Sequence, residues 1–199
     1  MGAFEGNFRQ LDRFDISELK AKVLALSDAD WNAVTWRQKR FAVHSDTQVI
    51  ELIFDRDLPK ENPTKHEKYF EVDCENLLAR FVEKIADHYG ESGYLIRAIL
   101  TRLKPKGVIC AHVDTGVMFT SSRRFHIPIE TNDKVIFTIG GETRVMREGE
   151  MWEINNSREH SVENGGEQSR IHLIVDWLPM NKARLLTSVA NHHRGARVE

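Results

Sequence analysis

The stretch RRFHIPIETNDKVIFTIGGETRVMR, residues 123–147, contains three short strand-like runs that are separated by turn-forming residues. Gly140 and Gly141 stand between the second and third runs, and two glycines between apolar runs are typical of a β-hairpin. Because no crossover helices separate these runs from their neighbours, they favour an all-β sandwich or barrel over βαβ units. Five further runs of the same kind lie at residues 94–103, 107–114, 150–155, 160–164 and 170–178.

The first half of the chain has a different texture, and its apolar spacing predicts two helices. Residues 15–28, DISELKAKVLALSD, begin with Asp15 as a predicted N-cap and have Glu18 three residues later, a variant of the capping box. Residues 73–90 repeat apolar residues at helical spacing and end at Gly90, a residue that favours the end of a helix. The predicted apolar face of this second helix consists of Leu77, Leu78, Phe81, Val82, Ile85 and Tyr89.

Together these patterns predict one domain that is mostly β with supporting helices. We expect residues 1–93 to form a support region of helices and strands, residues 94–180 to form the β core, and residues 181–199 to form a C-terminal helix or tail. Within the support region, residues 40–55 alternate enough to form one or two strands.

Composition and charge exclude several classes of function. The 199 residues are 41% hydrophobic and 29% charged, which is the balance of a folded globular protein. With a net charge of -2, no global field recruits nucleic acid or an anionic membrane. No apolar run reaches the roughly 20 residues of a membrane helix, and no secretory signal is evident, so we expect a cytoplasmic protein. The two cysteines, Cys74 and Cys110, cannot form a disulfide framework and match no zinc motif.

Two H-x-D triplets, His44 to Asp46 and His112 to Asp114, each place two metal-binding side chains two residues apart. Side chains at i and i+2 of a strand point to the same side, so such a triplet at a strand end can present both ligands to one metal ion. The first triplet lies among polar residues, and we interpret it as a surface turn. The second triplet ends an apolar run and precedes Gly116, which is typical of the exit from a strand.

A third ligand and a positive charge follow downstream of the second triplet. His160 opens a later strand-like run, and Arg170 opens the next one. Two histidines and one carboxylate on one face form the ligand set of non-haem Fe(II) oxygenases, which leaves adjacent positions open for a bidentate oxoacid and O₂. A buried arginine is costly unless it pairs with an anion, so Arg170 predicts an anionic partner such as the distal carboxylate of 2-oxoglutarate.

Five motifs between about Leu100 and Pro179 carry a resemblance to a known family. In order along the chain they are RLKP, HVD, RRFHIPI, GEMWEINNSREHSV and RIHLIVDW. In this region the chain resembles the aspartyl/asparaginyl β-hydroxylase family of Fe(II)/2-oxoglutarate-dependent oxygenases. A similar core occurs in the bacterial cis-proline hydroxylases, which act on a free amino acid. The first 90 residues show no such resemblance.

The resemblance implies a double-stranded β-helix, that is, a jelly-roll or cupin-like barrel. It implies that His112, Asp114 and His160 are the facial triad that holds Fe(II). Some members of the family lack the acidic ligand, whereas this chain has Asp114 and is therefore expected to have a complete triad.

The resemblance also implies a binding site for the cosubstrate 2-oxoglutarate. Arg170 would bind the C5 carboxylate of 2-oxoglutarate. Arg124 and His126 match the positions that contact its C1 carboxylate end. Thr101 falls where the family places a small hydroxyl residue near the cosubstrate.

The predicted function is therefore that of a dioxygenase which uses Fe(II), 2-oxoglutarate and O₂ to hydroxylate an aspartyl or asparaginyl side chain of a peptide or protein. One alternative is a hydroxylase of a free amino acid such as proline, or of another small amino-acid derivative. A second alternative is a non-catalytic, cupin-like metal-binding module. The cupin signature has a second histidine in place of Asp114, which disfavours that module. The implied partner is a small-molecule or peptide substrate, with no nucleic acid and no membrane, and the sequence predicts no oligomeric state.

Three further features near the predicted site leave alternatives open. His172 alternates with Arg170, so both face the interior in this interpretation, with His172 either touching substrate or serving as a hydrogen-bonded core histidine. Asp176 is expected to make a structural contact. Residues 115–123 form either a lid over the site or a plain connecting loop.

Overall fold

In a computed structural model, the described residues are 4–40, 42–55, 62–73 and 76–183. Ten strands within them pair antiparallel into two sheets. The strands are Phe8–Arg13 (β1), Thr47–Phe54 (β2), Gly93–Leu103 (β3), Val108–His112 (β4), Arg123–Glu130 (β5), Val135–Ile139 (β6), Glu142–Arg144 (β7), Glu150–Ile154 (β8), His160–Asn164 (β9) and Arg170–Pro179 (β10). The larger sheet has the order β1-β8-β5-β10-β3-β2, and the smaller has the order β4-β9-β6-β7.

All eight strand-like runs of the second half are strands, and residues 40–55 contain one strand, β2. Gly140 and Gly141 have φ angles of 53° and 82°, which confirms the predicted two-glycine hairpin between β6 and β7. The predicted jelly-roll is confirmed as two sheets that pack face to face. Ladders of hydrogen bonds link strands only within each sheet, so among the described residues the barrel does not close into a continuous cylinder.

Six helices in the described residues surround the sheets. They are Ser17–Leu24 (α1), Asp28–Asn32 (α2), Trp36–Arg40 (α3), Glu67–Val72 (α4), Leu77–Tyr89 (α5) and Val117–Ser121 (α6), with a 3₁₀ turn at Ala42–His44. Among them, α1, α2, α4 and α5 supply side chains to the core on the outer face of the larger sheet. In α5, the predicted apolar face is buried at Leu77, Leu78, Phe81 and Ile85, and Gly90 ends the helix in the left-handed region with φ of 64°.

The predicted start of the first helix was wrong in detail. The N-cap position of α1 is Ile16, and the Asp15 carboxylate accepts hydrogen bonds from the backbone N–H and hydroxyl of Ser17. The capping box lies further on, where Ser27 and Asp30 satisfy each other's backbone N–H at the start of α2. Because Ser27 caps a new helix, α1 ends at Leu24, before the end of the predicted segment, and α2 starts at its last residue, Asp28.

The side chains of strand β10 alternate between the two faces of the larger sheet. Its side chains at 171, 173, 175 and 177 belong to the core between the larger sheet and the helices. The alternate positions 170, 172, 174 and 176 therefore face the smaller sheet. A second core fills the space between the sheets and includes Leu103 and Ile154 from one sheet and Phe137 and Val162 from the other.

Residues 1–93 contribute β1 and β2 to the larger sheet, so this region supplies strands as well as supporting helices. The division of the chain at residues 93 and 180 stays a prediction, and residues 184–199 of the predicted tail lie outside the described residues. None of the helices in the described ranges combines the length and apolar character needed to cross a membrane. Cys74 also lies outside these ranges, and Cys110 is an exposed free thiol.

Candidate active site

The second H-x-D triplet and His160 meet at neighbouring strand ends. His112 is the last residue of β4, His160 is the first residue of β9, and the two are paired across the ladder that joins these strands. One potential ligand atom each from His112, Asp114 and His160 lies within 4.8 Å of the other two, and the two imidazole centroids are 4.3 Å apart. This spacing suits three ligands on one face of a single metal ion.

Backbone carbonyls fix the orientation of both imidazoles. Nδ1 of His112 is 2.8 Å from the carbonyl oxygen of Cys110, and Nδ1 of His160 is 2.9 Å from that of Arg158. Since a carbonyl oxygen only accepts, each Nδ1 carries the proton and each Nε2 keeps its lone pair for a metal. Burial lowers the pKa of His160, which keeps this ring in the neutral form that binds metals.

The Asp114 carboxylate is held on one side only. Its Oδ2 accepts hydrogen bonds from Nη1 of Arg124 and, at 3.1 Å, from Nδ2 of Asn156. Its Oδ1 lies 3.9 Å from Nε2 of His112. Burial alone would raise the pKa of Asp114, but Arg124, the two histidines and the hydrogen bond from Asn156 together outweigh burial and lower the pKa. The carboxylate is therefore ionised at neutral pH, as a metal ligand must be.

Arg124 makes a second and larger contact away from the triad. Its Nε and Nη2 donate to the two carboxylate oxygens of Asp176 at 2.8 and 2.9 Å, a bidentate pair across neighbouring strands β5 and β10. Nη1 of Arg97, on β3, lies 3.3 Å from the same carboxylate. Burial lowers the pKa of Arg124, but the carboxylates of Asp114 and Asp176 outweigh burial and raise this pKa above its ordinary value.

Arg170 is equally buried but has a different environment. Its guanidinium is 1% exposed, its Nη2 lies 2.6 Å from Nδ1 of His172, and its Nε has no hydrogen-bond partner. Among the described residues, no carboxylate lies within ion-pair distance of this side chain. Burial alone lowers the pKa of Arg170 to about 9. The site therefore contains a buried cation whose charge is not compensated by any carboxylate in the described part of the chain.

Comparison with known proteins agrees with this site. The family model for aspartyl/asparaginyl β-hydroxylase matches residues 26–179. The chain belongs to this family. The match begins at residue 26, well before Leu100. The prediction that the first 90 residues show no such resemblance was therefore wrong from residue 26 onward. This hydroxylase is an oxygenase enzyme, and iron and 2-oxoglutarate are the metal and cosubstrate of such oxygenases in general.

Solved structures show the same fold at low sequence identity. An oxidoreductase of the 2OG-Fe(II) oxygenase family from Burkholderia pseudomallei has a TM-score of 0.54 and 16% identity, over 89% of this chain and 93% of that chain. The viral collagen prolyl hydroxylase of Paramecium bursaria Chlorella virus-1, solved with 2-oxoglutarate, has a TM-score of 0.51 and 10% identity, over 88% and 97% of the two chains. A non-haem monooxygenase solved as a nickel complex has a TM-score of 0.52 and 12% identity, over 87% and 74%. A search of curated protein sequences finds no match.

In the hydroxylase, one cavity between the sheets joins the triad to Arg170. Its polar wall also includes Thr101, 6% exposed, and His126, 4% exposed. The rest of the wall is largely apolar and consists of Ile109, Phe137, Ile154, Val162 and Ile174. The structure thus brings all seven predicted site residues into one cavity, with an apolar middle between a metal-binding end and a cationic end.

Two neutral histidines lie beside Arg170. Burial lowers the pKa of His126 and of His172 well below the ordinary value. Nδ1 of His172 accepts from Arg170 and lies 3.3 Å from Nδ1 of His126, so the ring proton of His172 is on Nε2, which is buried without a partner. Thr101 donates to the carbonyl oxygen of His172 at 3.4 Å.

The first triplet proved to be a turn, as predicted, but not a purely superficial one. His44 ends the 3₁₀ turn, lines the cavity, and has its ring centroid 5.8 Å from that of His112. Asp46 is engaged elsewhere, accepting from the backbone N–H of Val108 and from Lys104. The two side chains therefore do not form a metal-binding pair within the described part of the chain.

Residues missed by the sequence reasoning act on the ligands rather than as ligands. Asn156 holds Asp114 twice, since its side chain donates to the carboxylate and its carbonyl accepts from the Asp114 N–H at 3.2 Å. Phe119, in α6, lies over the guanidinium groups of Arg97 and Arg124 at 5.0 and 4.9 Å. The loop after the triplet therefore covers the ion pairs beside the metal site. The only signal for Asn156 in the sequence is its polar side chain shortly before His160.

Proposed function

We propose that this oxygenase holds Fe(II) through His112, Asp114 and His160, and that it hydroxylates an aspartyl or asparaginyl side chain of a peptide or protein. The observation that carries the proposal is one cavity with a two-histidine, one-carboxylate cluster at one end and the uncompensated Arg170 at the other. Iron bound there, with 2-oxoglutarate and O₂, supplies the oxidising power for hydroxylation of a C–H bond, while succinate and CO₂ are released.

The chain fits the cosubstrate as well as the metal. Arg170 has an unpartnered buried Nε, and a carboxylate would satisfy it and supply the missing negative charge. Thr101 and His126 lie along the same wall and would border the cosubstrate. The apolar residues between the two ends match the methylene groups of a short dicarboxylate and exclude water from them.

Arg124 can contact the C1 carboxylate only through the N–H groups that its contacts with Asp114 and Asp176 leave free. Three of its five N–H groups already donate to Asp114 and Asp176. One hydrogen remains on each terminal nitrogen, and the proposed contact with 2-oxoglutarate would use one of these. In this proposal His126 takes the larger share of the C1 end.

The choice of an aspartyl or asparaginyl side chain rests on the family of the chain. A free amino acid such as proline, or a similar small derivative, is the second candidate, because the cis-proline hydroxylase core has a similar last strand. The two are separated by incubating the iron-loaded enzyme with aspartyl and asparaginyl peptides and with free amino acids. Succinate release that rises only with the peptides supports the first candidate, and release that rises only with a free amino acid supports the second.

The ligand assignment is tested with two matched sets of variants. His112→Ala, Asp114→Ala and His160→Ala are each expected to lose the weak visible charge-transfer band that forms when 2-oxoglutarate is added anaerobically to the Fe(II) protein. His44→Ala and Asp46→Ala are the controls, since they form the other H-x-D triplet, and they should keep that band. Loss of the band in His44→Ala, together with its persistence in His112→Ala, would show that the wrong triplet had been assigned.

A further inference from the structure

A row of four charged side chains of alternating sign lies beside the candidate metal site. We name the row Arg97, Asp176, Arg124 and Asp114 the ion chain. Each member contacts the next, through the 3.3 Å pair of Arg97 and Asp176, the bidentate pair of Asp176 and Arg124, and the contact of Arg124 with Asp114. The four residues lie on β3, in the loop after β4, on β5 and on β10, so only the fold brings them into one row.

We propose that Asp176 is a positioning residue for iron binding, which acts through Arg124 to fix the carboxylate of Asp114. The inference rests on the proposed function, because it takes Asp114 as an iron ligand. Asp176 is separated from Asp114 by Arg124 in the ion chain, and it does not belong to the metal-binding cluster.

The geometry of Arg124 supports this role. A guanidinium group is planar, so two parallel hydrogen bonds to one carboxylate fix both its position and its rotation. Asp176 takes Nε and Nη2 of Arg124, and the remaining terminal nitrogen, Nη1, is thereby aimed at Oδ2 of Asp114. Oδ1 of Asp114 is left on the side of the two histidines. Without Asp176, the long side chain of Arg124 would regain rotational freedom, and Asp114 would lose its defined orientation.

The charges of the ion chain support the same role. Arg124 alone beside Asp114 would cancel the negative charge that the carboxylate offers to a metal ion. Asp176 engages two of the three contacting nitrogens of Arg124, and Arg97 in turn balances Asp176. The two arginines and two aspartates of the ion chain have no net charge, and Arg124 orients Asp114 while it shares its positive charge with a second carboxylate, that of Asp176.

A second ion pair with a buried carboxylate, on the opposite face of the same sheet, serves as a matched control. Glu153, 1% exposed on β8, lies 3.3 Å from Arg123, the residue next to Arg124 on β5. It also accepts a hydrogen bond from Tyr89 of α5, so this pair lies on the helix-covered face of the sheet, away from the cavity. Loss of either buried carboxylate leaves an arginine of β5 without that partner, but only Asp176 is connected to Asp114.

The test measures Co(II) binding to the metal-free protein by its visible absorption, with no turnover required. Asp176→Asn is expected to weaken Co(II) binding by about 10- to 100-fold, the range for residues that hold a metal ligand, and to alter the shape of the absorption band. Glu153→Gln should lower the melting temperature and leave both the affinity and the band unchanged. Arg124→Lys, which keeps the charge and loses the planar fork, should reproduce the effect of Asp176→Asn and serves if that variant does not fold.

The decisive measurement is the double variant Asp114→Ala/Asp176→Asn. If Asp176 acts through Asp114, the second substitution adds no further loss of Co(II) affinity to that of Asp114→Ala. Equal losses in the presence and absence of Asp114 would overturn the inference and leave Asp176 a structural residue. Wild-type affinity in Asp176→Asn and Arg124→Lys, with a large loss in Asp114→Ala, would overturn it while the proposed function stands. Wild-type affinity in Asp114→Ala would overturn the ligand assignment of the proposed function itself.

Discussion

Arg124 and Arg170 are buried on neighbouring strands of one sheet, yet the protein treats their charges in opposite ways. Arg124 donates to two carboxylates, Asp114 and Asp176, and its pKa is raised. Arg170 touches the neutral ring of His172 and no carboxylate among the described residues, and burial lowers its pKa to about 9. The two guanidinium groups therefore mark two different kinds of buried cation.

The difference shows how to separate a positioning arginine from a binding one. Taking a charge out of water costs several kcal/mol unless a partner compensates it. The fold supplies that partner at Arg124 and leaves it out at Arg170, although the second position is just as buried. A buried cation without an internal partner inside a cavity indicates a site for an anion from outside.

The largest expected effect is on the stability of the metal-free protein. Arg124→Met leaves two carboxylates buried beside an apolar side chain and should cost about 3–5 kcal/mol of unfolding free energy. Arg170→Met removes an uncompensated charge and should leave the unfolding free energy unchanged or raise it by about 1–4 kcal/mol. Urea unfolding of both variants measures the contrast. Equal losses at the two positions would show that the charges are compensated alike.

The next effect is on the affinity for 2-oxoglutarate. Because a hydrogen bond to a charged group contributes about 1.5–3 kcal/mol, Arg170→Ala should weaken binding by on the order of 10²-fold or more. Arg170→Lys should recover only part of this affinity, since an ammonium group cannot form the planar fork. Iron content should stay at the wild-type level in both, as no ligand is changed. Normal 2-oxoglutarate binding by Arg170→Ala would refute the assignment.

A smaller effect concerns the dependence of stability on pH. The folded-state pKa values of His126 and His172 lie well below the ordinary value, so the unfolded chain takes up their protons first as the pH falls. Their contribution to stability is complete above about pH 6.5 and is lost below it, at about 1.4 kcal/mol per pH unit for each histidine. Over the same range the Asp114 carboxylate stays ionised, because its pKa is lowered.

The free energy of unfolding should therefore fall in mild acid, mainly through His126 and His172. Urea unfolding at intervals from pH 7.5 to 5 measures the slope in the wild type and in the variant His126→Asn/His172→Asn. The variant is expected to have the flatter slope in that range. An unchanged slope would show that these two histidines do not carry the acid sensitivity.

The smallest expected effect is at the edge of the cavity. His44 lines the site beside His112 without belonging to the metal cluster. His44→Ala should change the Co(II) affinity by no more than about twofold, in line with the roughly 0.5 kcal/mol typical of substitutions away from a ligand or a core. A loss as large as that of His112→Ala would mean that His44 takes part in metal binding.

Local sequence patterns predicted most of the fold correctly because most strands alternate apolar and polar residues between turn signals. They missed β1, whose residues are mixed in charge and mostly half-exposed, and which is a strand because it pairs with β8 at the edge of the sheet. They also extended α1 beyond its end at Leu24 and missed α2, which starts at Asp28 behind the capping residue Ser27.

The sequence by itself determined which runs of the core are strands, the placement of His112 and Asp114 on one side of the chain, and the common face of Arg170 and His172 on β10. These follow from the period of two along a strand, which is a local property of the chain. The tertiary structure alone decided the partner of each charged side chain. Asp176 meets Arg124 across 52 residues of sequence through the register of β5 and β10, and none of the carboxylates in the described ranges forms an ion pair with Arg170. Compensation of a buried charge depends on distances between strands, so it could be determined only after the sheets had formed.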